Sequence, residues 1–183
     1  RTDPARTGFP DAAATFTFER WVDYLLDVPM MFTRHGGTWR PALDGATDDV
    51  TINGAGVTKV TLANLTGAAK VVTVADVDSA HALNLTLNTV TGTRTINDAE
   101  ATSVAISSTG GASTGITLNA AKATAVTIAA DEKVTLADVN IAAAKTITVT
   151  GDSLVTISAN TTVTALESIS SAGSTGGVTV TAA

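Results

Sequence analysis

The sequence predicts an all-β chain built as a parallel β-solenoid of about 20 residues per coil, with a short helical cap segment at its N-terminus. Three observations predict it. Triplets of the form apolar–Thr–apolar recur through most of the chain, at a spacing of about ten residues. The residues between triplets are Ala, Gly, Asn, Asp and Ser, with no Pro and only Asn53-Gly54 as a hairpin pair. Finally, the apolar vocabulary after Ala42 is Ala, Val, Leu and Ile alone, which suits a narrow stacked interior.

The N-terminal segment, residues 1–45, is written differently. It holds all seven aromatic residues, from Phe9 to Trp39, and all four prolines, so its composition divides from the rest around "RPALDGATDD". Within it, Phe18, Trp21, Val22, Leu25 and Leu26 fall on one stripe of a helix over 18–28, with Glu19, Arg20 and Asp23 opposite. Thr17 is placed to cap that helix and Pro29 to stop it. So short a segment cannot bury its stripe alone; packing on the first coil as a cap is expected, against packing on another subunit.

Residues 46–183 form the repeat domain. Its strands are expected at Val50-Thr51-Ile52, Val60-Thr61-Leu62, Val72-Thr73-Val74, Leu85-Thr86-Leu87, Arg94-Thr95-Ile96 and Val104-Ala105-Ile106. Then follow Ile116-Thr117-Leu118, Val126-Thr127-Ile128, Val134-Thr135-Leu136, Ile147-Thr148-Val149, Val155-Thr156-Ile157 and Val178-Thr179-Val180. In each the period of two puts both apolar side chains on one face, and β-branched residues suit a pleated, half-buried surface. A sandwich is the competing arrangement, but it usually uses aromatic residues to span about 10 Å between sheets. A solenoid also explains why "KVTLANLT", "KVVTVADVD" and "KVTLADVN" repeat one phrase: every coil meets the same packing problem. Neither end of the rod carries an obvious polar cap, so further coils or a partner are expected to cover an open end.

Composition narrows the function classes. A formal charge of -6 argues against phosphate-held nucleic acid, and no apolar stretch approaches the length of a membrane span. Without cysteine there is no disulfide and no thiolate nucleophile or ligand. His35 and His81 are far apart in sequence, no phosphate-binding glycine loop or G-x-S-x-G elbow occurs, and an enzyme is not expected. Calcium is the candidate ion, since it takes oxygen ligands from carboxylates at corners. The candidate ligands are Asp76, Asp78, Asp131 and Asp138, with Asp48, Asp49, Asp98, Glu100 and Glu132 at further corners. The competing reading is that these residues shape turns; Asn64 standing in the repeated phrase where Asp76 and Asp138 stand favours it.

The words "VTKVTLANLTGAAKVVTVADV", "KVTLADVN" and "ALESISSAGSTGGVTVTAA" resemble the Thr- and Ala-rich repeats of type I secreted bacterial surface-layer proteins. That resemblance implies a parallel solenoid at the bacterial cell surface, extracellular, assembling with copies of itself into an array, with calcium dependence. Cell-surface polysaccharide is a further expected partner, and an extracellular adhesin or ligand-binding solenoid is the alternative reading. Separately, "TDPARTG" and "FERWVDYLLDVPMMF" in residues 1–42 are similar to an internal stretch of glutamate–cysteine ligases of the plant and proteobacterial type. The carboxylates that hold nucleotide and magnesium in that family lie outside this stretch, so no ligase activity is expected from it.

Overall fold

A computed structural model of the chain describes residues 30–35, 38–52, 57–74, 80–159 and 162–182. Its strands are β1 (Met30–His35), β2 (Thr38–Asp44), β3 (Val50–Ile52), β4 (Lys59–Ala63), β5 (Lys70–Val74), β6 (His81–Asn88), β7 (Arg94–Asp98) and β8 (Ala101–Thr109). They continue as β9 (Ser113–Asn119), β10 (Ala125–Ala130), β11 (Val134–Asn140), β12 (Thr146–Gly151), β13 (Val155–Ala159), β14 (Ser168–Ser174) and β15 (Val178–Ala182). Eight of them form one sheet in the order β1-β2-β4-β6-β8-β10-β12-β14, and seven form a second in the order β15-β13-β11-β9-β7-β5-β3. Every neighbouring pair is parallel except β1 with β2. The chain therefore gives one strand to each sheet per coil, a parallel β-solenoid.

Every predicted triplet lies inside a strand, and its apolar members are buried except in the last, where Val178 is partly buried and Val180 exposed. Leu85 stands against Ile106, Ile106 against Ile128 and Ile128 against Val149, so like residues stack at intervals of about 22. The expected coil of about 20 is slightly short. Among the described residues there is no helix; the expected helix over 18–28 lies outside them. The described part of the first segment forms strands instead, the β1–β2 hairpin, and Ala42 to Asp44 pair with Thr61 to Ala63. The change of vocabulary near residue 42 thus falls inside a strand of the eight-stranded sheet.

The interior is a set of aliphatic ladders, and its width changes partway along. Leu43, Leu62 and Leu87 stack in one column, which continues as Ser108, Ala130 and Gly151. The corners from the eight-stranded to the seven-stranded sheet change at the same point. Residues 45–49, 64–69 and 89–93 make long corners that bury Ala46, Leu65 and Val90, whereas 110–112, 131–133 and 152–154 are three-residue corners. Smaller side chains let the sheets approach at that edge, and a closer approach needs less chain to cross. Ser108 is fully buried at the step, its Oγ donating to the Glu132 carbonyl at 2.6 Å and accepting from the Glu132 N–H at 3.0 Å. Corner contacts are tight enough that a Cβ at Gly92 would come within 2.3 Å of the Gly67 carbonyl oxygen, and φ there is +99°.

Candidate functional site

The outer face of the eight-stranded sheet is a regular surface. Strands β6, β8, β10, β12 and β14 contain no Asp, Glu, Lys or Arg. Inward positions are filled by Leu, Val, Ile, Ala and Ser, so the outward residues that remain are Asn, Thr, Ser and Ala. They run in columns: Lys59, Asn84, Ala105, Thr127, Thr148 and Ser170 in one, and Thr61, Thr86, Ser107, Ala129 and Thr150 beside it. Adjacent strands are about 4.8 Å apart, which sets the interval between hydroxyls along a column. Thr86 and Ser107 hydroxyls meet at 3.2 Å. Between Lys59 and Thr150 these columns line a shallow trough of about 510 Å³, open to solvent. Apart from Lys59 at one end, its lining is of neutral donors and acceptors backed by methyl groups, which suit an uncharged, hydroxyl-bearing or similarly flat partner.

The outer face of the other sheet carries an Asn column, Asn97, Asn119 and Asn140, continuing Thr51 and Thr73. Asn119 Nδ2 donates to Asn97 Oδ1 at 2.7 Å. Sequence reasoning missed this column. Its signal was present, because each Asn directly follows an inward apolar residue: Ile96, Leu118 and Val139.

Charges gather at the corners and mostly bridge one coil to the next. Lys122 Nζ lies 2.7 Å from both carboxylate oxygens of Glu100, Lys70 pairs with Asp48 at 3.5 Å, and Lys145 with Glu167 at 3.5 Å. Asp49 Oδ1 accepts the Val71 N–H at 2.8 Å. Of the calcium candidates, Asp76 and Asp78 lie outside the described residues. Asp131 sits exposed in the corner before β11, its carbonyl accepting from Ser153 Oγ at 3.0 Å. Asp138 stands half-buried on β11 opposite Thr117. Four residues of strand from Val134 to Asp138 span about 13 Å, so these two carboxylates are not brought together. Among the described residues no three His, Cys, Asp or Glu side chains gather in one place.

Two buried polar groups were not foreseen. His81 opens β6 and Asp98 closes β7, and the coil brings His81 Nε2 to 2.9 Å from Asp98 Oδ2 with the carboxylate fully buried. Asp98 Oδ1 also accepts the N–H groups of Glu100 and Ala101, which forms the two-residue corner 99–100. Arg94 is 1% exposed and lies in the interior at the step where the solenoid narrows. Its guanidinium donates to the carbonyls of Thr66 and Thr93, each at 2.9 Å, and of Ala68. Burial holds the guanidinium below its ordinary pKa. Both groups act within the protein, as ties between the second, third and fourth coils.

The fold and this surface define a class, the two-sheet parallel β-solenoid with neutral, hydroxyl-rich outer columns. No known protein family matches the chain, and neither does any curated protein or solved structure.

Proposed function

We propose that this chain is a structural β-solenoid of the bacterial cell surface that assembles with copies of itself into an array, in the manner of surface-layer proteins. The observation that carries the reading is the placement of charge. Five successive strands of one sheet present a neutral, regular face of Thr, Ser, Asn and Ala, while the charged residues between β6 and β14 stand at corners or on strands of the other sheet. A protein of net charge -6 that keeps one broad face neutral removes the long-range repulsion that would otherwise hold copies apart at that face. The secreted placement comes from the resemblance of the repeats. Calcium enters as an ion taken by corner carboxylates.

Electron microscopy and small-angle scattering of concentrated protein, with calcium and then with chelator, test the reading. Ordered sheets or lattice peaks are expected; a protein that stays monomeric in every condition ends it. Melting in the same two buffers tests the ion separately, and an unchanged midpoint removes calcium from the proposal.

The trough favours a second reading, an adhesin-like module that holds a neutral cell-surface polysaccharide along its hydroxyl columns. Thr127→Lys and Thr148→Lys place charge in its floor. Under this reading they abolish retention on neutral glycan surfaces while the melting temperature stays within about 3 °C.

A further inference from the structure

We propose that the trough on the eight-stranded sheet takes an oligosaccharide whose terminal sugar carries one carboxylate, and that Lys59 holds the acid. This deepens the adhesin-like reading by naming the class of glycan, and it rests on that reading.

The trough crosses strands instead of following one. It runs from Lys59 on β4 to Thr150 on β12, four strand intervals of about 4.8 Å and so about 19 Å along the rod. Its floor lies where the outward residues are smallest: Ala105 stands between Asn84 and Thr127, and Ala129 between Ser107 and Thr150. Each strand beneath it has a neighbour on both sides, so recognition falls to side chains. Among the described residues the hydroxyls of Thr127, Thr148 and Thr150 have no hydrogen-bond partner within the protein. Hydroxyls at the corners are used differently. Thr102, Thr124 and Thr164 donate to backbone carbonyls of the preceding coil.

Lys59 is set apart from the other described lysines. Lys70, Lys122 and Lys145 pair with Asp48, Glu100 and Glu167 of neighbouring coils, and Lys133 follows Asp131 and Glu132 in its corner. Half-buried Lys59 has no ion-pair partner among the described residues. It is also the one Asp, Glu, Lys or Arg on the strands of this sheet from β4 to β14. Ala42 pairs with Thr61, and Arg40 precedes the one by two residues as Lys59 precedes the other, so a second cationic residue lies at the same end of the sheet. Asn84, in register with Lys59, donates its Nδ2 to the Thr58 carbonyl at 3.0 Å. That bond fixes the amide and leaves its Oδ1 as a spare acceptor one strand away from Lys59.

The occupant follows from this arrangement. A peptide bound through its backbone needs a strand edge, and the trough offers none. A nucleic acid or a polyanionic glycan brings repeated charge to a protein of net charge -6, against one lysine in the trough. Hydroxyls and an amide alternate here with the methyl groups of Ala and Thr, the mixture that a sugar ring meets with its own hydroxyls and C–H faces. One acid at the end of a neutral chain matches one cation at the end of a neutral trough. A charge-assisted bond there outweighs any single neutral contact along the floor.

Titration calorimetry of the full chain with paired probes tests this: lactose with sialyllactose, cellotriose with cellotriouronic acid, and xylotriose with its glucuronosyl derivative. In at least one pair the acidic member is expected to bind about tenfold tighter than the neutral one, with a dissociation constant of about 0.1–1 mM. Salt at about 0.5 M is expected to remove most of that difference. Lys59→Gln is expected to bring the acidic member to the affinity of its neutral partner. Lys133→Gln, at an exposed corner away from the trough, leaves the difference in place. Both variants are expected to melt within about 3 °C of the wild type, so a lost preference is not a lost fold. Equal binding within every pair overturns this inference and leaves the adhesin-like reading standing, whereas binding by no probe at about 10 mM overturns both. An acid preference that survives Lys59→Gln ends the assignment to Lys59.

Discussion

Arg94 is an unusual residue to find inside a rod of aliphatic ladders, and its neighbours explain it. The long corner 64–69 turns the carbonyls of Thr66 and Ala68 inward, where strand pairing cannot reach them, and the third coil supplies donors from Arg94. A planar fork is needed, because one ammonium cannot meet carbonyls spread over two coils. Removing it leaves buried acceptors unpaired and opens a cavity, so Arg94→Ala is expected to cost about 3–4 kcal/mol and Arg94→Lys about 2. Urea unfolding checks this, and a midpoint unmoved in Arg94→Ala would mean the corner does not depend on the guanidinium. Asp98 works by the same logic in reverse. It satisfies two corner N–H groups and His81 at once. Asp98→Asn keeps one oxygen for the corner and is expected to lose about 1–2 kcal/mol, whereas Asp98→Ala loses about 3. Equal losses in the two variants would show that the corner bonds contribute nothing.

At the scale of strands and corners, conformational strain separates the positions. Asn64 and Thr89 occupy the left-handed region, with φ of 52° and 56°, at the first residue of successive long corners, where Gly45 and Gly110 stand in the flanking coils. A β-branched side chain is costly there, so Thr89→Gly is expected to stabilise by about 1 kcal/mol, read as a higher urea midpoint. Gly151 has the opposite sensitivity: φ is +101° and a Cβ would lie 2.3 Å from the Ala130 carbonyl oxygen. Gly151→Ala must push two coils apart and is expected to cost about 3 kcal/mol or more. These positions also show what was legible in the sequence. Triplets such as Val126-Thr127-Ile128 announced their strands because a period of two with β-branched residues has few other readings. Strand β14, Ser-Ile-Ser-Ser-Ala-Gly-Ser, escaped because it holds one large apolar residue and a register shift where it pairs with β12. The β1–β2 hairpin escaped because its strands carry Pro41 and aromatics, a vocabulary that matched no other coil. The inward Arg94 and Asp98 were legible only as departures from the triplet pattern. Nothing local in the sequence says that His81 reaches Asp98, since that contact depends on the length of one coil.

For the molecule as a whole, the solenoid makes stability one-dimensional: each coil is held by its two neighbours and a terminal coil by one. The gradient follows from burial. Inward residues of the middle strands, Val104, Ile106, Ile116, Leu118, Val126 and Ile128, are all 2% exposed or less, whereas Val178 is only partly buried and Val180 is 44% exposed. Local opening is therefore expected to start at the β14–β15 coil and to run inward. Hydrogen exchange resolved by peptide should find the amides of β8 to β11 slowest and those of β14 and β15 fastest, by at least about a hundredfold in dilute protein. Uniform protection along the rod would contradict the one-dimensional picture, since it requires the end coil to be held as firmly as coils with two neighbours.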